Sequence, residues 1–171
     1  FAGGLGRRWA ERRTSVIGDR GGHLEATSLW VHLTADGRPA RLPPDFLATY
    51  EEAAAGRTVG SRLSHRPPPE GATHRPWPLR STDHDGLGHV NNAATWEPIE
   101  DELDRRGLVP VRAEVEHPAA IVPGEVVTLV AEEIPDVGSA GPLLRAWLTV
   151  DGDVRGSAVV RTVPAPPDRR G

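Results

Sequence analysis

Cysteine, methionine and lysine are missing from the 171-residue sequence, and all 20 of its Lys+Arg cations are arginines. Without cysteine, the chain has no disulfide, no thiolate metal site and no cysteine nucleophile. Without methionine it has no initiator residue, so we expect the sequence to be a piece of a longer protein. The arginine bias, together with abundant alanine, glycine and proline, is typical of a GC-rich genome rather than of one function.

Long apolar runs and an excess of positive charge are lacking as well. No apolar stretch approaches the length of a membrane span, and no signal-peptide core follows a basic start. We therefore expect a cytoplasmic protein without a membrane span. The formal net charge is -4, whereas a phosphate-binding surface needs a cationic excess, so nucleic acid is not an expected partner. An apolar fraction of 37% is typical of a globular chain.

The first third of the sequence predicts a hairpin followed by a short helix. Two segments with strand character, residues 7–17 and 23–33, are joined by "GDRGG", which is hairpin-turn chemistry. In "LPPDFLATYEEAAA", Pro44 or Asp45 can open a helix. Its apolar side carries Phe46, Leu47 and Tyr50.

The remainder predicts one strand, one long helix and then a run of antiparallel strands. Residues 80–83 are predicted to finish a short strand, and a helix is predicted from about Asn91 to Arg106, with Gly107 as its stop signal. Pro98 inside this helix predicts a kink. Four segments rich in β-branched residues follow, and a sheet that wraps one apolar helix is an α+β arrangement. The helical stripe predicted to lie in the core is Ala93, Trp96, Ile99 and Leu103.

Residues 81–103, "STDHDGLGHVNNAATWEPIEDEL", contain the candidate reactive side chains. Two aspartates flank a histidine, glycines separate them from a second histidine, and two asparagines open the predicted helix. Asp83 and Asp85 beside glycine are ordinary turn residues, and Asn91 is an ordinary helix cap, so one interpretation is purely structural. The other interpretation is the polar end of a reaction site.

The wider stretch "WPLRSTDHDGLGHVNNAATW", residues 77–96, resembles the hotdog-fold thioesterases, and in particular the bacterial type of the acyl-acyl-carrier-protein (acyl-ACP) thioesterases. In that family a Trp-x-x-Arg-x-x-Asp-x-Asp segment leads into His-Val-Asn-Asn and the central helix. The segment "WAERRTSVIGDRGGHLEATSLWVHLTADGRPARLPPDF", residues 9–46, is similar to the closing strands of the family's first hotdog unit.

The resemblance implies a hotdog fold, an antiparallel sheet wrapped round one long helix, occurring twice in tandem. Residues 72–165 would be a complete second unit, and residues 1–55 the closing strands and short helix of a first, incomplete unit. Residues 56–71 would be a linker, and residues 166–171 a tail. The family's first unit is credited with the acyl-chain pocket and its second with the hydrolytic residues. A homodimer through the hotdog sheets is left open.

The implied activity is thioester hydrolysis, which releases fatty acids from acyl carrier protein or from acyl-CoA. Asp85 would activate water, with His89 nearby as a base or as a positioning group and Asn91 holding water or substrate. Amides at the helix N-terminus, near Val90 and Asn91, would polarise the carbonyl. No metal and no other cofactor is expected. The residues expected to bind substrate are Val90, Asn92 and Trp96.

The sequence departs from the plant members of the family at two places. An asparagine of those members falls on Leu87, whose side chain can donate nothing, and their Glu-Cys pair falls near Ala120 and Ile121. The constellation is closer to a simpler bacterial scheme, with one loop carboxylate and a helix N-terminus. A degenerate, non-catalytic hotdog protein that binds acyl-ACP, acyl-CoA or lipid is the alternative. A hotdog hydratase or dehydratase has no matching motif. A metal site at His84, Asp85 and His89 would lack a further well-spaced ligand.

Overall fold

A computed structural model of the chain describes residues 2–60, 62–135 and 141–166. The chain divides into two compact units, Phe1–Arg62 and Leu63–Gly171. All but the first residue of the predicted tail lie outside the described residues. No helix in the described ranges is long and apolar enough to cross a membrane.

The first unit contains a three-stranded antiparallel sheet in the order β1-β2-β3. Strand β1 is Ala2–Leu5, β2 is Trp9–Ile17 and β3 is His23–Val31. Strands β2 and β3 pair residue by residue along their whole length, so the predicted hairpin is confirmed. Gly21 in the turn has a φ of 87°, a left-handed conformation that glycine adopts without steric cost.

The predicted short helix of this unit is helix α1, Pro44–Ala54. Proline suits its first position, because the amide of that residue has no intrahelical acceptor. The rings of Phe46 and Tyr50 lie one helical turn apart with their centroids separated by 4.6 Å, on one side of the helix as predicted. The helix ends at Ala55, whose φ of 49° breaks the helical path.

The second unit contains a five-stranded antiparallel sheet and one α-helix among its described residues. The strand order is β4-β6-β7-β8-β5, so consecutive strands β6, β7 and β8 form the centre, and β4 and β5 are the outer strands. The four strands predicted after the helix are confirmed. The elements are β4 (Thr73–Trp77), α2 (Trp96–Arg106), β5 (Leu108–Glu116), β6 (Val127–Ile134), β7 (Leu143–Val150) and β8 (Asp153–Pro164).

The strand predicted to finish at residues 80–83 is wrong in position. The strand is β4, which ends at Trp77, and Ser81–Asp83 is a short 3-10 helix. The side chain of Asp83 accepts the backbone N–H of Arg80 at 2.8 Å, and this local bond replaces a strand ladder. Strand β4 pairs with β6 alone, and an outer strand tolerates Pro76, which has no N–H to donate.

Helix α2 begins at Trp96, five residues later than predicted, because residues 92–95 form turns. Ala93 lies in these turns and is exposed, so its predicted place in the core stripe is wrong. Pro98 falls in the first turn of the helix, where backbone amides have no intrahelical acceptor. A proline therefore removes no helical hydrogen bond at this position, and the reason for the predicted kink does not apply. The helix ends at Gly107 as predicted, with a φ of 65°.

The core of the second unit lies between α2 and one face of its sheet. From the helix, Ile99 and Leu103 are buried and Trp96 packs against them at the edge. The members of this core cluster alternate along β7, because successive residues of a strand point to opposite faces. The buried strand residues of this cluster include Leu129, Leu144, Ala146, Leu148, Ala158 and Val160.

Candidate active site

Residues 84–90 form a closed loop between the 3-10 helix and the turns that precede α2. A β-bridge between His84 and Val90 closes its base. Next to this bridge the backbone N–H of Asn91 donates to the carbonyl of Asp83 at 2.7 Å. The N–H of Val90 donates to the carbonyl of Ile121 at 2.8 Å, which attaches the loop to the connection between β5 and β6.

The carboxylate of Asp85 is held inside this loop by backbone donors. Its Oδ1 accepts the N–H of Leu87 at 2.8 Å and the N–H of His89 at 3.1 Å. Its Oδ2 has no hydrogen-bond partner within the part of the chain that the structure describes. The N–H of His89, followed by that of Leu87, lowers the pKa of Asp85 and outweighs the small opposing effect of burial. The half-buried carboxylate is therefore ionised at neutral pH, with one oxygen fixed and one available.

Two histidines flank this carboxylate. The positive charge that His89 or His84 carries when protonated adds to the lowering of the Asp85 pKa. The imidazole of His89 is half-buried and makes no hydrogen bond to any described residue. The Nε2 atom of His84 is buried and has no partner among the residues that the structure describes. The His89 ring is therefore available for proton transfer, whereas Nε2 of His84 is shielded from solvent.

The asparagine pair lies where the loop turns into α2. The side-chain oxygen of Asn91 caps the turn by accepting the N–H of Ala93 at 2.8 Å. Since the N–H groups of Val90 and Asn91 donate inside the protein, they are not open to a ligand. Asn92 is an exposed residue, and its N–H and side chain find no partner in the described ranges. Asn92 is thus the open backbone donor at this end of the helix.

The other two residues expected to bind substrate have different surroundings. Val90 is only 8% exposed and belongs to the hydrophobic core, so its side chain anchors the end of the loop in that core. Trp96 is half-buried, packs against the same core and is the first residue of α2. Val90 before the asparagine pair and Trp96 after it thus attach this segment to the core.

A network that the sequence interpretation treated as ordinary turn chemistry lies under the loop. Asp83 is only 4% exposed, and its carboxylate accepts hydrogen bonds from the backbone and the guanidinium of Arg80. Burial raises the pKa of Asp83, but the hydrogen bonds from Arg80 outweigh that effect and leave the pKa below its ordinary value. The guanidinium also pairs with Glu97 in the first turn of α2. The signal was present in "RSTD", where an acid follows three residues after a donor, the spacing of a capping box.

The described residues contain no group of three or more His, Asp or Glu side chains that could hold a metal ion. The polar groups that the loop and the turn present are the carboxylate of Asp85, the two imidazoles and the side-chain amides of the asparagine pair. Such a set can move protons and donate hydrogen bonds to an anion.

No protein-family model matches the sequence. An uncharacterized protein of Mycobacterium tuberculosis (strain CDC 1551 / Oshkosh) is 32% identical over 164 residues, which cover 92% of this chain and 62% of that protein. The chain therefore spans less than two thirds of the length of this relative.

Solved structures with a similar fold include two thioesterases. A candidate oleoyl thioesterase of Lactobacillus plantarum superposes with a TM-score of 0.75 at 20% identity, over 94% of this chain and 65% of that one. The 12:0-ACP thioesterase of Umbellularia californica superposes with a TM-score of 0.74 at 18% identity, over 96% of this chain and 64% of that one. The resemblance to the acyl-ACP thioesterases is thus confirmed at the level of the fold, with antiparallel sheets and few helices.

Proposed function

We propose, from the fold shared with the acyl-ACP thioesterases, that this chain carries the hydrolytic part of a thioesterase that releases fatty acids from acyl-ACP. The observation that carries the proposal is the carboxylate of Asp85, fixed through one oxygen and open at the other. It lies in the loop of residues 84–90, which is followed by the unpartnered amide of Asn92 in front of α2. A base and an oxyanion donor are the two groups that thioester hydrolysis requires.

The proposed reaction begins when the free oxygen of Asp85 accepts a proton from a water molecule. The oxygen of that water forms a bond to the thioester carbonyl carbon, and the N–H of Asn92 donates to the oxyanion. The tetrahedral intermediate then collapses, the carbon–sulfur bond breaks, and the proton returns from Asp85 to the departing sulfur. The products are a fatty acid and the free thiol of the carrier, so no cofactor is consumed.

In this scheme His89 and Asn91 assist the carboxylate of Asp85. The unpartnered imidazole of His89 can relay the proton between Asp85 and the leaving sulfur. The side-chain oxygen of Asn91 is occupied by the turn, which leaves its NH₂ group to hold water or substrate. A positioned acid or base of this kind contributes about 10²- to 10⁴-fold in rate.

The tandem hotdog architecture is part of the proposal. Residues 72–165 would form the complete second unit, which agrees with five strands and a central helix in this region. Residues 1–55 would form the closing strands and the short helix of a first unit, which agrees with a three-stranded sheet followed by α1. The acyl chain would bind in the remainder of that first unit, and a dimer through the sheets belongs to the same proposal.

The test is hydrolysis of acyl-ACP and acyl-CoA by the full-length protein and its variants. Asp85→Asn keeps an oxygen that can accept the two backbone donors, but it removes the base, so we expect a loss of about 10²- to 10⁴-fold in kcat. The matched control is Asp104→Asn, the same change at an exposed position of α2. Equal rates for wild type and Asp85→Asn would end the hydrolase proposal.

A second candidate is a non-catalytic protein that binds acyl-ACP, acyl-CoA or lipid. It is favoured by Ile121, which is 4% exposed in the core where plant members of the family carry a polar pair. Saturable binding of acyl-ACP without any fatty acid released over a long incubation would support this candidate against the hydrolase.

A further inference from the structure

Arg80 connects the two ends of the segment that carries the proposed site. Its Nε and Nη2 atoms lie 2.9 and 2.8 Å from Oδ1 of Asp83, and its backbone N–H donates to Oδ2 of the same carboxylate at 2.8 Å. Its Nη2 also donates to the carboxylate of Glu97. One guanidinium thus holds the residue before the loop and a residue of the first turn of α2.

Asp83, the partner of Arg80, is itself hydrogen-bonded to the residue that follows the loop. The carbonyl of Asp83 accepts the N–H of Asn91 beside the bridge that closes residues 84–90. A displacement of Asp83 would therefore move the base of the loop, and with it the two amides that orient Asp85. Glu97 lies at the other end, one residue after α2 begins. Arg80 therefore bridges the residue before the loop and the first turn of α2.

We propose that Arg80 is the positioning residue of the site, which holds the loop of Asp85 in register with the turn at Asn92 that precedes α2. This inference rests on the proposed function. Arg80 touches neither the water nor the thioester in the proposed reaction and acts through Asp83 and Glu97. A guanidinium suits this role because its planar fork presents several donors at fixed angles, which a lysine ammonium cannot reproduce.

The chain offers a matched control in Arg75 on β4. The Nη2 atom of Arg75 pairs with Asp101 at 2.5 Å and with Glu102 at 3.4 Å, so it also ties helix α2 to its surroundings. It has no hydrogen bond to residues 83–92. A purely stabilising role would make the two arginines equivalent, whereas a positioning role would separate them.

The experiment compares Arg80→Lys and Arg75→Lys in the full-length protein with acyl-ACP as substrate. We expect Arg80→Lys to lower kcat by about 10- to 100-fold with little change in KM, because small misplacements of a base have effects of this size. We expect Arg75→Lys to keep kcat within about twofold of wild type, even if its melting temperature falls as much as that of Arg80→Lys.

A pH profile separates positioning from stability. In Arg80→Gln the buried carboxylate of Asp83 faces His84 without its guanidinium, and burial raises its pKa. Protonation of Asp83 would then release the loop, so the acid limb of kcat/KM should move to higher pH in Arg80→Gln and stay in place in Arg75→Gln.

Each outcome decides between the two proposals. Active wild type with equal kcat and equal acid limbs in the Arg80 and Arg75 variants would overturn the positioning role and leave the hydrolase proposal standing. Wild type without any hydrolysis would overturn the proposed function, and the role of Arg80 with it. A kcat loss confined to the Arg80 variants, with the shifted acid limb, supports both.

Discussion

Asp85 and His89 are joined by two hydrogen bonds that run in opposite directions, one to the Asp85 side chain and one between backbone groups. The N–H of His89 donates to Oδ1 of Asp85 at 3.1 Å, and the N–H of Asp85 donates to the carbonyl of His89 at 2.8 Å. The carboxylate is therefore oriented by the backbone of the residue whose imidazole lies beside it in the proposed site. A loop with three intervening residues joins the two side chains that could serve as the base.

The pH dependence of hydrolysis distinguishes these two bases. Because backbone donors lower the pKa of Asp85 below its ordinary value of 3.8, this carboxylate stays ionised at every pH above that value. If Asp85 is the base, kcat/KM should show no acid limb from Asp85 above pH 3.8. The measurement is the profile of wild type and His89→Gln. An acid limb that vanishes in His89→Gln would assign the base to His89 instead.

Leu87 contributes to the loop through its backbone and not through its side chain. Its N–H donates to Asp85, whereas its side chain is 78% exposed. Leu87→Asn and Leu87→Ala should therefore leave kcat within about twofold of wild type. Leu87→Pro removes the donor, and a hydrogen bond to a charged group contributes about 1.5–3 kcal/mol, so kcat should fall about 10- to 100-fold. Steady-state kinetics on the three variants, with melting temperatures as the control, provide the check. A large loss in Leu87→Ala would contradict it.

The errors of sequence interpretation cluster where side chains bond to nearby backbone. The hydrophobic periods of the strands and of helix α2 predicted the sheet, the helix and its glycine stop, because these patterns reflect burial. Helix α2 starts later than its hydrophobic pattern predicts, since the Asn91 side chain and the turns after it delay the first regular helical bond. The bond between Asp83 and Arg80 likewise turned a predicted strand end into a 3-10 helix.

Long-range contacts of the site had no local signal at all. The hydrogen bond from Val90 to Ile121 joins residues of two separate loops. Nothing in the sequence of either loop indicates that it contacts the other. By contrast, the grouping of Asp85 with His89 was open to prediction, because both fall within one short glycine-containing loop. The orientation of Asp85 by backbone amides was not, since it depends on the path of that loop.

The buried stripe of α2 predicts a large stability difference between two identical substitutions. Leu103 is 5% exposed in the core, whereas Leu87 is 78% exposed. Leu103→Ala should lower the free energy of unfolding by about 2–5 kcal/mol, because it removes buried contacts and leaves a cavity. Leu87→Ala should change it by less than about 0.5 kcal/mol. Urea unfolding of both variants measures the difference, and similar values for the two would contradict the placement of α2 against the sheet.

Glu116 at the end of β5 holds the stretch that precedes β4. Its carboxylate accepts the backbone N–H of Ser64 at 2.6 Å and that of His65 at 3.1 Å, while Nδ1 of His65 lies 2.9 Å from Oγ of Ser157. These residues fall in a stretch whose composition predicts a linker, and here they are bonded to two strands. Burial raises the pKa of Glu116, but the backbone donors outweigh it and leave the pKa below the ordinary 4.5.

The lowered pKa gives the sign of a pH effect on stability. The ionised carboxylate stabilises the folded state at pH values above the unfolded pKa of 4.5, and this contribution is lost as the pH falls through the lower folded value. Glu116→Gln loses the charge, and we expect it to reduce the free energy of unfolding by about 1–3 kcal/mol at pH 7. Because protonation removes the same charge from wild type, the difference between the two proteins should shrink in strong acid. Urea unfolding at pH 7 and pH 3 tests this, and a difference that is independent of pH would show that the shape of the side chain, and not its charge, holds the stretch.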